Sequence, residues 1–154
     1  MLGELVKSDA GQFPEVDRVA RATCKTPRDV HSFIKHAVLF EREEGEIFRS
    51  PKVTLLGGVG DCDCQSRLAC YMLRSIGFPS RLVFLAGIEG GPKHVVAQAE
   101  GYEGTPKQFG WHWVETTMDA AYDEEPVRAA VRLGALRPDV TEGYARREYS
   151  EVFR

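Results

Sequence analysis

The chain contains no apolar run near the ~20 residues that a membrane-spanning helix needs, so a membrane partner is not expected. Its start, Met1-Leu2-Gly3-Glu4-Leu5, has neither the basic stretch nor the apolar segment of a secretion signal. A cytoplasmic location is therefore expected, free or within a larger particle assembled there. Excess basic charge is also missing: the net charge is -3 and the pI about 5.8, which argues against nucleic acid as a partner. Cysteine is scarce. Of Cys24, Cys62, Cys64 and Cys70, three lie close together, and without a sign of secretion they predict no disulfide framework. Internal repeats, low-complexity tracts and acidic calcium-loop patterns are absent too. The glycines of Gly57-Gly58-Val59-Gly60 lack a following Gly-Lys-Ser/Thr, and no acid stands about twenty residues on in a strand-glycine-helix unit. A nucleotide loop is excluded on those grounds.

What remains is an ordinary globular composition, 43% apolar and 28% charged over 154 residues, enough for one domain, 1–154, with one core. Residues 1–12 are mixed and expected to be loosely held. Pro14 to Cys24 follows a helical pattern. Thr26-Pro27 opens a clearer helix, with Thr26 as cap, Asp29 in the first turn, and Val30, Phe33, Ile34, Ala37, Val38 and Phe40 as its apolar face. His31 and His36 read as solvated. Glu41 to Glu46 reads as a charged helix end and turn, and Ile47 to Pro51 and then Val53 to Leu56 as an extended approach to the glycines. From Asp61 to about Ile76 the pattern is a wide-faced, central helix, stopped by Gly77 and Pro79. Cys70 within it reads as a core residue. Arg81 to Ala86 reads as a buried strand, Ile88 to Pro92 as a turn, and Lys93 to Glu100 and Trp111 to Thr117 as alternating strands. Gly101 to Gly110 is the loop between those strands. The end is helix-prone over Pro126 to Leu133 and closes in a charged tail.

Cys62 stands at the first turn of the central helix, where the positive end of the dipole favours thiolate over thiol; Asp61 and Asp63 oppose that effect. If the loop centre lies near residues 104 and 105, His94 falls opposite Glu115 on one face of an antiparallel hairpin. That placement gives a route to Cys62 as nucleophile, His94 as base and Glu115 as orienting acid. His112 is the rival base, on the opposite strand face from Glu115, with Asp119 as its nearest downstream acid.

Gly60-Asp61-Cys62-Asp63, followed by Leu73-Arg74-Ser75-Ile76-Gly77-Phe78-Pro79-Ser80-Arg81, resembles the core motif of the transglutaminase-like superfamily. His94-Val95-Val96 is similar to the family's histidine strand. Trp111-His112-Trp113-Val114-Glu115-Thr116-Thr117 is similar to its last motif, with glutamate for the usual aspartate. Glu46-Ile47-Phe48-Arg49-Ser50-Pro51 resembles a stretch of compact bacterial and phage-associated members. The resemblance covers about residues 28–119. It implies an α+β fold with a papain-like core, the cysteine-bearing helix packed on an antiparallel sheet. It also implies acyl transfer from a peptide or isopeptide amide through Cys62, His94 and Glu115, with no cofactor and no metal. A protein or peptide substrate is the implied partner, and association with a phage-like particle is a further expectation.

Cys64 is the departure, since relatives commonly carry aspartate there. Two helical positions beyond Cys62 is about 200° around the axis, so the two thiols should not share a face. Three alternatives stay open at this level. One is an amine-accepting cross-linker using the same thioester. Another is a degenerate structural module of a phage-like particle. The third is a zinc site of Cys62, Cys64, His94 and His112, disfavoured because the histidines face opposite sides of their strands.

Overall fold

A computed structural model describes residues 1–42, 48–86, 94–101, 110–136 and 146–154 of the chain. Most of the charged run and all of the 88–92 turn lie outside the described residues. So do most of the 101–110 loop and the stretch 137–145. The architecture is α+β, built on helix α5 (Cys62–Ser75). Asp61 Oδ1 accepts from the Cys64 amide at 3.0 Å, and Gly77 (φ 91°) follows the helix end, as the sequence pattern predicts. Every residue from Cys64 to Leu73 is buried. Leu68, Met72 and Leu73 are wholly so, each stabilising the fold by about 1.5–3 kcal/mol relative to exposure.

One side of α5 packs on a four-stranded sheet of order β5-β4-β3-β6, antiparallel throughout. Its strands are β3 (Ser80–Ala86), β4 (His94–Glu100), β5 (Trp111–Val114) and β6 (Arg146–Tyr149). Leu82, Val95, Ala97, Ala99 and Val114 join α5 in the main core. On the opposite face Val83, Leu85, Val96 and Trp113 form a second cluster, against which Val127 of α6 (Pro126–Arg132) packs. Both faces of β4 are thus covered, which is why its alternation separates two cores rather than core from solvent.

The other helices surround α5: α1 (Leu2–Ser8), α2 (Pro14–Thr23), α3 (Pro27–Ala37) and α4 (Pro51–Gly57). Helix α3 is capped by Thr26 as expected, and Asp29 completes a capping box with it.

Three expectations are corrected. Residues 1–12 are not loosely held. Leu2 and Val6 enter the core, and the buried Asp9 carboxylate takes Arg67 of α5 in a two-pronged ion pair at 2.6 Å on each side. Val53 to Leu56 is not extended but lies in α4, capped by the Ser50 hydroxyl on the Val53 amide. Val38 and Phe40 do not continue the α3 face, because the helix ends at Ala37. Leu39–Phe40 (β1) instead pairs in parallel with Val59–Gly60 (β2). The charged tail adds a strand to the sheet. Strand β6 pairs with β3, the Arg81 guanidinium lies over the Tyr149 and Trp111 rings at 4.1 Å from each centroid, and Phe153 is buried.

No helix among the described residues is long and apolar enough to cross a membrane.

Candidate active site

The glycine stretch sets where Cys62 sits. Gly58, left-handed at φ 67°, ends α4, and Gly60 then passes under the first turn of α5. A Cβ on Gly60 would meet Cys64 Cβ at 2.9 Å and Thr54 Cγ2 at 3.3 Å. Its carbonyl accepts from the Gln65 amide group at 3.0 Å and from the Glu41 amide at 3.2 Å. These contacts fix the strand-to-helix turn that presents Cys62, which is half-buried, while Cys64 points inward and is buried. The two thiols do not share a face. Gly60→Ala is expected to destabilise the protein by about 1–3 kcal/mol, because two packed neighbours must give way. Urea unfolding checks this, and an unchanged midpoint would contradict the close packing.

The hairpin register differs from the expectation by two residues. Ala97 pairs with Val114 and Gln98 with Trp113, so continuing the ladder sets His94 opposite Thr117 rather than Glu115. A two-residue shift keeps every side chain on its face, and diagonal neighbours remain within reach. His94 Nε2 and Glu115 Oε2 are in hydrogen-bond contact, and Glu115 is 1% exposed. The Cys62 side chain lies beside the same imidazole, and both line one cleft. The structure therefore brings Cys62, His94 and Glu115 together. Ser66 Oγ donates to the Val95 carbonyl at 3.1 Å, tying the start of α5 to the residue after His94.

Thr117 holds the far side of the acid: its amide and hydroxyl donate to Glu115 Oε1 at 2.8 and 2.6 Å. Gln65 is a cross-brace, accepting from Thr116 Oγ1 at 2.7 Å while holding the Gly60 carbonyl. Sequence reasoning passed over both roles. The Glu-x-Thr spacing carried a signal for Thr117, since a threonine beside an acid readily makes such local bonds. Nothing in one sequence marks Gln65.

Burial alone would push the His94 pKa down. Its hydrogen bonds to Cys62 and Glu115, with the Glu115 charge, outweigh that and raise it to about 10. Burial would push Glu115 up, but the His94 bond and charge, with the Thr117 bonds, hold it low. The raised His94 stabilises in full below its unfolded value near 6.5, and this contribution is lost as pH rises towards about 10. The lowered Glu115 stabilises above about pH 4.3, and its contribution is lost as pH falls through the depressed value. The stability difference between wild type and Glu115→Gln is expected to peak near pH 5.5 and shrink towards pH 10. Urea titrations at those pH values check it, and a difference flat with pH would contradict the coupling.

The other histidines are accounted for differently. His31 is buried rather than solvated, edge-on to Tyr122 at 6.0 Å, and burial pushes its pKa down. His36 is exposed as expected. His112 is buried with an acid of its own, Asp123, whose Oδ2 lies 3.0 Å from Nδ1. Asp119 instead pairs with Lys35 at 2.7 Å. Among the described residues no three or more His, Cys, Asp or Glu side chains are placed to hold a metal ion, so the residues of the zinc alternative do not converge.

Cys62 and His94 open onto a cleft of about 500 Å³, bordered by Asp61, Thr117, Phe40, Arg42 and the apolar side of α6. A half-buried thiol, an imidazole beside it and a buried carboxylate behind the imidazole form an arrangement suited to nucleophilic attack on a carbonyl.

Comparison with known proteins bears on the family and the fold. The family model described as the transglutaminase-like superfamily matches residues 15–122. Among solved structures, calcium-bound Legionella pneumophila LapG superposes with a TM-score of 0.51 at 16% identity, over 99% of this chain and 72% of that one. EGTA-treated LapG gives 0.54 at 17% identity, over 82% and 74%. A Parabacteroides distasonis ATCC 8503 protein described as a "putative protease" gives 0.52 at 12% identity, over 78% of this chain and 30% of that one. No curated protein matches.

Proposed function

Since the chain belongs to the transglutaminase-like superfamily, we propose that it is a cysteine hydrolase acting on a peptide or isopeptide amide. The observation that carries this reading is the buried Glu115 bound to His94, with the Cys62 thiol beside the same imidazole at the mouth of an open cleft. A buried carboxylate is costly unless it is matched, and here its match is the imidazole that faces the nucleophile.

Cys62 attacks the carbonyl carbon as the thiolate, forming the C–S bond and placing the electron pair on oxygen. The Cys62 amide, at the first helical position where no intrahelical acceptor exists, donates to that oxyanion. Collapse breaks the C–N bond, and the departing amine takes the proton from His94, leaving a thioester. Water then attacks the thioester while His94 accepts its proton. Loss of the thiolate frees the acid and returns the proton pair to its starting state. Glu115 holds the imidazole in orientation and balances its charge throughout, without itself being protonated.

Treatment with limiting iodoacetamide followed by peptide mapping tests the nucleophile. Cys62 is expected to be alkylated well ahead of Cys24, Cys64 and Cys70, all of which are buried. Equal or slower modification of Cys62 would count against the reading. Incubation with a glutamine peptide and a fluorescent amine separates water from amine as acceptor. Hydrolysis without amine incorporation is the expected outcome, and incorporation without hydrolysis would make the protein a cross-linker.

A further inference from the structure

The cleft has a property that the three reacting side chains do not require. Its volume of about 500 Å³ falls within the ~300–1,000 Å³ of pockets that enclose small ligands. One wall is carbon: Leu85, Met118, Val127, Ala130, Ala135 and Leu136. Val127 is fixed by packing against the Val83, Leu85, Val96 and Trp113 cluster, so this wall is anchored to the sheet. Helix α6 spends its charge elsewhere. Arg132 is held by Glu124 at 2.9 Å and by the Asp119 carbonyl at 2.7 Å, and neither Arg128 nor Arg132 lines the cleft.

The polar groups that do border the cleft are largely engaged. Asp61 caps the Cys64 amide, the Thr117 hydroxyl donates to Glu115, and His94 is shared between Glu115 and Cys62. Arg42 is the cation on the described rim. A polar side chain laid on the carbon wall would give up its water without gaining partners there, whereas an apolar one loses nothing.

We propose that this wall receives an apolar substrate side chain next to the scissile carbonyl, so that the protein selects peptide segments with an apolar residue on the acyl side. The selectivity rests on the hydrolase reading above, and it concerns the part of that site which binds rather than reacts. Val127, Ala135 and Leu136 are its specificity-determining residues.

Acetylated dipeptidyl chloromethyl ketones that differ only in their last residue test it. Each alkylates the thiol with loss of chloride, and iodoacetamide, which carries no side chain, serves as the reference. The leucine probe is expected to modify Cys62 at least about tenfold faster than the glutamine or aspartate probe. Ala135→Asp, at an exposed position, and Val127→Asp are expected to cut that preference about tenfold, each probe's rate being taken relative to the same variant's iodoacetamide rate. Ala135→Asp keeps the test open should Val127→Asp fail to fold. Equal rates for the three probes, or a faster aspartate probe drawn by Arg42, would overturn the proposal while iodoacetamide still modified Cys62. A preference untouched by Ala135→Asp and Val127→Asp would overturn the assignment to this wall. Failure of iodoacetamide itself to modify Cys62 would overturn the hydrolase reading and this one with it.

Discussion

Glu115→Gln is expected to lower amide turnover by about 10²–10⁴-fold while the fold persists. The exchange keeps the volume and leaves an oxygen for the Thr117 amide and hydroxyl, so the local backbone has no reason to move. What disappears is the negative charge that holds a protonated imidazole in a buried place. The His94 pKa then falls, because burial works against its charged form and only Cys62 still supports it. An imidazole with less affinity for a proton delivers it to a departing amine less often, and one without its buried anchor also samples other orientations. Comparison of kcat/KM for the two proteins, with the near-ultraviolet spectrum as a check on folding, measures the effect. A loss of less than about threefold would mean that Glu115 is a packing residue and not part of the machinery.

Asp9→Ala is expected to cost about 3–5 kcal/mol, enough to lower Tm by roughly 6–20 °C. Arg67 and Asp9 have side chains 7% and 5% exposed, so removing the carboxylate strands a buried guanidinium. Arg67 also donates to the Phe48 and Arg49 carbonyls at 3.1 and 3.3 Å, holding the segment that leads into α4 and the glycine turn. The damage should therefore reach the site as well as the core. Replacing both partners by apolar residues, Asp9→Leu with Arg67→Met, is expected to restore much of the stability, since no unpaired charge then remains. Thermal melting of the three proteins decides it. A fall of under about 2 °C in Asp9→Ala would show that Arg67 finds water or another acceptor.

Much of the site could be read from the chain because its parts are local. Asp61 as cap, Cys62 at the helix start, Gly77 after the helix end and Thr26 as the cap of α3 depend on neighbours a few residues away. The His94–Glu115 pairing depended on a loop length, and the loop centre was placed one residue too early. The pairing survived because the resulting register shift of two leaves strand faces unchanged. Features built from distant partners were not legible. Asp9 meets Arg67 across 58 positions, and nothing in the composition of residues 1–12 marks that meeting. His112 finds Asp123 only because the chain turns back after β5, Asp123 itself adopting φ 65°. His31 reads as solvated on the α3 pattern, yet the Glu115 segment and Tyr122 cover it. Val53 to Leu56 went unrecognised as helical because its pattern spans barely two turns. The Ser50-Pro51 start, with serine as cap and proline first, was the signal to use.

On the proposed hydrolase reading, acyl groups pass through a thioester on Cys62. Brief incubation with p-nitrophenyl acetate, acid quenching and peptide mapping by mass spectrometry test it directly. The predicted result is one acetyl group, on Cys62, labile to hydroxylamine, shed in water by the wild type and retained much longer in His94→Ala. Acetylation confined to lysines or to Cys24, Cys64 or Cys70, or acetyl-Cys62 that is shed equally fast without His94, would contradict the account.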